Sequence, residues 1–376
     1  MEAAAMEHIE FVVVTSDEPW GDIWHTQLHY AHQLSKRYQV YYFDPPLPWK
    51  PSNLFRIGTT SREVSERLTV IRYFNFIPSA LGKVALRIND FVNERLLLKM
   101  MKKNHGKKHS LVWHFDPFRS FYTLRKKGVK HVYHVVDPIA GSHLDVEQSK
   151  CADVVVITSP KFASHYKALN TSVVQIAQGA DTAFLREPEA GIEALPSKDS
   201  ILLLGTLSDE IDFTILKNLA KRFVGKLVII GPDNTRSTGH KEQFRELTSI
   251  KGVTWLGPMN PSGFRKHLQA CLLGIIAYDN SKHDRNNLRS PLKVISYLAA
   301  GKSIISNIDC EIPSLMGRAI FKVGTEDEYF ELIDKGFRNE LPFDQMAVDS
   351  YLKSIEYDEL LRIIFDKLSL PLAPKK

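Results

Sequence analysis

The stretch RSPLKVISYLAAGKSIIS (Arg289–Ser306) places a lysine at the mouth of a helix. Ser290 is a good N-cap, and Pro291 suits the first helical position, where its missing N–H costs nothing. Leu292, Ile295, Leu298 and Ala299 recur at helical spacing, and Gly301 fits the C′ stop. Lys293 therefore falls in the first turn, where the helix dipole disfavours a cation. An anion bound at that helix end would reverse the balance, because the free N–H groups and the ammonium would share it. A solvated surface lysine is the simpler reading of the same letters.

A second set of candidates lies in the first half. KHVYHVVDPIAG (Lys130–Gly141) ends an apolar run with His134 and Asp137. Asp137 stands before Pro138 at the carboxyl end of a strand, where an α/β protein presents side chains to ligand. A carboxylate there could take a proton from a reacting hydroxyl, or simply cap the next helix. His134 lies within the strand and reads as a core residue, and Asp116 in WHFDPF is a second strand-end candidate. In DEPWGDIWHTQ (Asp17–Gln27), Gly21 would let the backbone approach a ligand. Trp20, Trp24 and His25 would line the same side, with ordinary core packing as the competing reading of the tryptophans.

Short apolar runs must position these residues. Glu10–Ser16, Val40–Pro46, SLVWHFDP, KHVYHVVDP, ADVVVITS and Ser172–Gly179 read as strands, with a helix at His25–Tyr38 after the first. The pattern restarts with Ser200–Thr206, Lys226–Pro232, Gly252–Pro258, Cys271–Tyr278 and Lys302–Ser306. Strands alternating with helices predict parallel sheets covered on both faces. Arg186–Asp199 is polar and apolar-poor, so it reads as a linker. The expected organisation is an acceptor-side Rossmann-like domain over 1–185, a linker over 186–199 and a second Rossmann-like domain over 200–345. An amphipathic C-terminal helix within 346–376 is expected to pack back on the first domain. Ligands would bind at strand carboxyl ends in a cleft between the domains.

Composition bounds the function class. The chain has 376 residues, 44% hydrophobic and 24% charged, enough for two domains with real cores. Three cysteines without paired spacing argue against a disulfide framework or a zinc site, and suit a reducing compartment. The start MEAAAMEHIE lacks the basic and apolar regions of a signal peptide. No window reaches the roughly 20 apolar residues a spanning helix needs. The net charge of +6 is uneven: residues 51–130 carry 17 Lys/Arg against 5 Asp/Glu, whereas residues 151–376 carry 28 of each.

With these elements in place, the chain resembles the nucleotide-sugar glycosyltransferases of GT-B architecture, in the family 4-like group that builds bacterial surface polysaccharides. The likeness runs from about Glu10 to Leu368. QGADTAF (Gln178–Phe184) is similar to the motif that enters the second domain, and LLLGTLSDEIDFTILKNLA to its opening glycine turn. VTWLGPMNPSGFRKHLQACLLGIIAY resembles the base-contacting loop and next strand, and SPLKVISYLAAGKSIIS the Pro-Leu-Lys segment. The resemblance implies a doubly wound α/β fold and hexosyl or uronosyl transfer from a UDP- or GDP-sugar to a glycan or lipid-linked acceptor. It implies no cofactor beyond that substrate and no metal. The donor side would comprise Lys293, Arg289, Ser290, Pro291, Leu292, Ser296, Gly205, Thr206, Gly257 and Tyr278. Asp137 would be the base, and Gly21, Trp20, Trp24 and His25 would face the acceptor.

Two departures stand out. The family's Glu-any-seven-Glu pattern falls on Leu288 and Ser296, and the loop after Gly205-Thr206 reads SDEID where cations often meet the diphosphate. Lys293, with Arg289, would then carry the charge neutralisation. An epimerase of the same fold, or a nucleotide-binding protein that has lost turnover, are the rival readings. The basic excess centres on Ala80–His109, where Leu81, Val84, Leu86, Ile88, Phe91, Leu96, Leu97 and Met100 precede or adjoin Lys99, Lys102, Lys103, Lys107 and Lys108. A helix of this kind can rest on anionic lipid, so a cytoplasmic protein peripheral on the inner membrane face is expected. No nucleic-acid-reading motif is present, and nucleic acid is not an expected partner.

Overall fold

The structure is a computed structural model and describes residues 9–47, 49, 60–105, 110–136, 142–187, 199–280 and 292–375. The chain divides into two units, Met1–Ile176 with Tyr357–Lys376, and Ala177–Glu356.

In unit 1 the strands are β1 (Phe11–Thr15), β2 (Gln39–Phe43), β3 (Thr60–Ser65), β4 (Leu68–Arg72), β5 (Ser110–His114), β6 (Lys130–Val135), β7 (Val154–Ile157) and β8 (Val173–Gln175). Their helices are α1 (Thr26–Ser35), α2 (Lys83–His105), α3 (Tyr122–Lys126), α4 (His143–Cys151) and α5 (Ala163–Leu169). The spatial order is β3-β4-β2-β1-β5-β6-β7-β8. β1 is parallel to both β2 and β5, so the winding reverses between β1 and β5. FVVVT of β1 and VVVI of β7 are buried throughout, as a sheet covered on both faces requires. The β3–β4 pair is antiparallel and was not expected from the sequence. TSREVS is exposed along its length, so it carries no apolar signal of burial.

In unit 2, α6 (Thr182–Arg186) precedes β9 (Ile201–Leu204), α7 (Phe213–Arg222), β10 (Leu227–Ile230), α8 (Thr238–Ser249), β11 (Thr254–Trp255), α9 (Pro261–Ala270) and β12 (Leu273–Ile276). Then follow α10 (Leu292–Ala299), β13 (Ile304–Ser306), β14 (Ile320–Lys322), α11 (Glu326–Phe337) and α12 (Gln345–Ser354). The order is β11-β10-β9-β12-β13-β14, all parallel, with the reversal between β9 and β12.

The boundaries differ from the expected 185 and 346. Residues 177–187 belong to unit 2 because Arg265 binds the Phe184 carbonyl at 2.7 Å and Glu187 at 3.1 Å. The C-terminal segment is two helices rather than one. The chain breaks after α12, where the Ile355 carbonyl accepts from Ala180 N at 2.9 Å and Glu356 accepts from Thr182 N at 3.3 Å. Only the second helix, α13 (Tyr357–Lys367), is part of unit 1. It contributes Leu360, Leu361, Ile364 and Phe365 to the core there, and Phe365 stacks on Tyr38 at 5.7 Å.

Candidate functional site

In open α/β sheets, ligands bind beyond the strand carboxyl ends where the winding reverses. In unit 2 that point lies between β9 and β12. Gly205 follows β9 and Tyr278 lies two residues beyond β12, so both fall there. Lys293, in the first turn of α10, brings its ammonium 4.8 Å from the Tyr278 ring centroid. It also lies over Gly205: a Cβ there would stand 3.0 Å from Lys293 Nζ. Gly205 has φ +125°, a conformation that side chains rarely adopt. The sheet thus gathers Lys293, Tyr278 and Gly205, with Thr206 next in the chain. Among the described residues no carboxylate is paired with the Lys293 ammonium.

Residues that the sequence reading missed hold this arrangement. Tyr297, one turn after Lys293, donates its hydroxyl to the Leu202 carbonyl and accepts from Leu204 N, both at 2.8 Å. This ties α10 to β9. Its ring fits because residue 274 is glycine; a Cβ there would lie 2.5 Å from the ring. Asn307 clamps the backbone of Tyr278, accepting from its N at 3.0 Å and donating to its carbonyl at 2.6 Å. Gly231, after β10, donates to the Gly257 carbonyl at 2.9 Å and passes so near that a Cβ would sit 1.9 Å from Gly205 O. Gly257 itself has φ +73°.

The acidic loop SDEID is explained by local bonding. Asp209 accepts from Arg236 N at 2.8 Å and Ser237 N at 3.1 Å, and Asp212 caps α7 through Ile215 N at 3.0 Å. Both carboxylates are engaged with backbone N–H groups. Ser296 is buried on α10 and Leu292 is half-buried. Arg289, Ser290 and Pro291 lie outside the described residues, as does Asp137 in unit 1.

In unit 1 the reversal lies between β1 and β5, whose ends lead to Asp17 and Asp116. Asp116 is buried and held by Arg119 Nη1 at 2.6 Å and Phe118 N at 2.9 Å, while Arg119 also donates to the Ser16 carbonyl at 2.7 Å. It is a structural carboxylate. Asp17 is different, and the sequence reading passed over it. Its side chain reaches solvent but is walled by neighbouring groups, and Gln27 donates to it at 3.0 Å. Burial, joined by the charges of Asp116 and Glu18, pushes its carboxyl up to about 6.

The aromatic residues expected on the acceptor side divide. Trp20 is buried, edge-on to Tyr42 at 5.2 Å, with its N bonded to Asp44 at 2.7 Å, so it belongs to the core. Trp24 is half-buried beside His29 and His32, each ring 5.2 Å away. His25 is half-buried, 3.7 Å from Glu18. Gly21 is exposed and has room for a side chain, so packing does not demand glycine there. His134 is buried, accepts from Trp113 Nε1 at 3.3 Å, and burial lowers its pKa to about 3. Among the described residues, no group of three His, Cys, Asp or Glu could hold a metal ion, and no helix is long and apolar enough to cross a membrane.

No protein-family model matches the chain. Over 114 residues it is 29% identical to the Bacillus subtilis (strain 168) protein named "Putative teichuronic acid biosynthesis glycosyltransferase TuaH". That match covers 30% of this chain and 28% of the relative, so it spans little more than a quarter of that protein's length. Among solved structures, the sucrose-phosphate synthase of Thermosynechococcus elongatus superposes with a TM-score of 0.66 at 14% identity, over 96% of this chain and 98% of that one. Anabaena HepE, solved with UDP and glucose, gives 0.62 at 13% identity, over 96% and 100%. These likenesses extend over nearly the whole chain, and its fold is GT-B, two Rossmann-like units in tandem.

Proposed function

We propose that the protein is a glycosyltransferase that moves a sugar from a UDP- or GDP-sugar to a glycan acceptor in surface polysaccharide synthesis. The observation that carries this reading is the Lys293 ammonium, half-buried at the strand reversal of unit 2 and without a carboxylate partner among the described residues. A cation in a helix first turn is unfavourable unless an anion joins it, and a nucleoside diphosphate supplies that anion. As the sugar leaves, negative charge grows on the diphosphate, and Lys293 with the N–H groups of α10 would stabilise it. Gly205 and Thr206 would border the phosphates and Gly257 the base. Asp137, two residues beyond β6, would take the acceptor proton. The solved relative with UDP supports the donor class. The teichuronic acid name of the Bacillus subtilis protein supports the acceptor class. A lipid-linked acceptor, met by a cytoplasmic protein peripheral on the membrane, fits that class.

The test is a thermal-shift screen against UDP, GDP and their sugars, followed by turnover with each sugar that binds. A ligand at about 100 times its dissociation constant stabilises by roughly 2.7 kcal/mol, which such a screen resolves. Stabilisation by one nucleotide and sugar release only with an acceptor is the expected result. No stabilisation by any nucleotide overturns the proposal.

A further inference from the structure

Helix α2 buries four polar residues, Asn89, Asp90, Asn93 and Glu94, beside its apolar Ala85 and Leu97. Of these, Asp90 accepts from Ser120 N at 3.2 Å, Ser120 Oγ at 2.9 Å and Phe121 N at 3.2 Å. Glu94 accepts from Thr123 N at 3.0 Å and Leu124 N at 2.7 Å. These two acids accept from N–H groups at the start of α3, where helical carbonyl partners are lacking, Leu124 N being shared with the Phe121 carbonyl at 3.1 Å. Asn89 likewise accepts from Phe76 N and Ile77 N and donates to the Ile77 carbonyl. Four apolar residues at its N-terminal end face outward. Leu81, just before the helix, is 69% exposed, Val84 70%, Ile88 42% and Phe91 46%. Val84, Ile88 and Phe91 follow at spacings of four and three, so they form one stripe.

Lys83, Arg87, Arg95 and Lys99 are the exposed charges around that stripe, and no exposed residue from 80 to 99 is acidic. Arg95 lies over the Phe91 ring at 4.1 Å, and Arg87 is 3.3 Å from Glu147. The described side chains of α2 end at Lys99. Lys102 and Lys103 continue the helix beyond them, and Lys107 and Lys108 lie outside the described residues.

We infer that this outward stripe of α2 docks on an anionic lipid surface, its apolar side chains entering the acyl boundary and its cations meeting the headgroups. The charge pattern selects this occupant. Large apolar side chains exposed together mark an interaction surface rather than a solvated face. A second copy of the chain would bring the same cations against each other, whereas anionic headgroups complement Lys83, Arg95 and Lys99, with Arg87 paired to Glu147. The sequence reading assigned the docking to residues 80–109, an apolar set of eight residues from Leu81 to Met100 with the lysine run ending at Lys108. Leu97, however, is buried in the core, and Leu86 and Leu96 are half-buried. The structure assigns the insertion to Leu81, Val84, Ile88 and Phe91, with the cations alongside. This deepens the membrane placement in the proposed function and rests on that part of it, but not on sugar transfer, since docking requires neither donor nor acceptor.

The experiment is sedimentation of the full chain with phosphatidylcholine vesicles, with and without phosphatidylglycerol. Wild-type protein should pellet only with the anionic vesicles, and added salt should weaken but not abolish binding. The triple variant Val84→Gln, Ile88→Gln, Phe91→Gln should bind at least about tenfold more weakly with an unchanged melting temperature, because exposed substitutions seldom alter stability. Lys83→Gln, Arg95→Gln, Lys99→Gln together should remove the preference for phosphatidylglycerol. Absence of wild-type binding, or equal binding by the apolar triple variant, overturns the inference. So does concentration-dependent dimerisation that the apolar variant abolishes, which would make the stripe a self-contact. The thermal-shift response to nucleotide is read on the same samples, so a failure of docking is distinguishable from a failure of the transferase reading.

Discussion

The Lys293 ammonium lies 4.8 Å from the centre of the Tyr278 ring and against the bare Cα of Gly205. The ring face offers a cation about 0.5–2 kcal/mol, enough to hold an extended lysine in place without neutralising it. The charge therefore remains available to a diphosphate. Lys293→Ala should weaken binding of UDP or GDP, whichever stabilises the protein, by roughly 2–4 kcal/mol, the usual cost of losing one partner of a desolvated charge pair. Calorimetry decides it, and unchanged affinity would remove Lys293 from the site.

Gly205 and Gly231 should respond differently to alanine. At Gly205 the new methyl meets the far end of a flexible side chain, so Lys293 moves and nucleotide affinity falls. The positive φ costs about 1–2 kcal/mol of stability besides. At Gly231 the methyl meets the Gly205 carbonyl at 1.9 Å, and backbone cannot step aside. Gly231→Ala should cost more than about 3 kcal/mol or prevent folding. Equal melting temperatures for the two variants would contradict this packing.

Which parts of this were legible in the sequence follows from burial. Runs such as ILLL and VVVI announce strands because a sheet covered on both faces admits little else, and the apolar spacing from Leu292 to Ala299 with Gly301 after it announces α10. The exposed strand TSREVS carries no such signal. Lys293 was readable from its position in a helix first turn, but Tyr278 as its platform was not, because the two are 15 residues apart and meet only through the sheet. Asn307 and Tyr297 were invisible for the same reason: an ordinary asparagine and tyrosine gain their roles from backbone groups on other strands. Trp20 misled, since an aromatic side chain in a strand–helix junction serves a core as readily as a ligand. The outward face of α2 was hidden because Asp90 and Glu94 look solvent-facing in sequence, and only α3 shows why they turn inward.

Tyr297→Phe should destabilise the protein by about 1–3 kcal/mol. It leaves the buried Leu204 N–H and Leu202 carbonyl without their side-chain partner, and an unsatisfied buried donor bears its full desolvation cost. Denaturant melts of the variant measure it. A loss well below 1 kcal/mol would mean that α10 is held by apolar packing alone.

Two carboxylates beyond the strand ends of unit 1 can be separated kinetically. If Asp137 takes the acceptor proton, Asp137→Asn should lower turnover on the order of 100-fold while nucleotide binding stays intact. Burial pushes the Asp17 carboxyl up to about 6, so if its ionised form serves turnover, the rate should fall below pH 6. Asp17→Asn, which mimics the protonated form, should then lower turnover at pH 8 and flatten that limb. An unaltered profile would exclude Asp17 from any step that limits turnover.

Stability against pH tests the buried histidines. Burial lowers His131 and His134 to about 3, and His114 is also pushed well below its ordinary value of 6.5. The unfolded chain binds these protons first, so the stabilisation is full above pH 6.5 and is lost as pH falls toward 3. His131 and His134 together should cost roughly 4 kcal/mol between pH 6.5 and 5, at about 1.4 kcal/mol per pH unit for each. Asp17 acts in the opposite sense: its raised carboxyl keeps a proton in the fold between 3.8 and about 6, so its contribution grows as pH falls. Because Asp17 reaches solvent, that gain is held to about 1 kcal/mol and cannot offset the histidines. Urea midpoints should therefore drop steeply from pH 7 to 5, and His134→Phe, which removes one titrating ring from between Tyr30 and Phe115, should make the drop shallower. A midpoint that stays level from pH 7 to 5 would show that these imidazoles are not held neutral by burial.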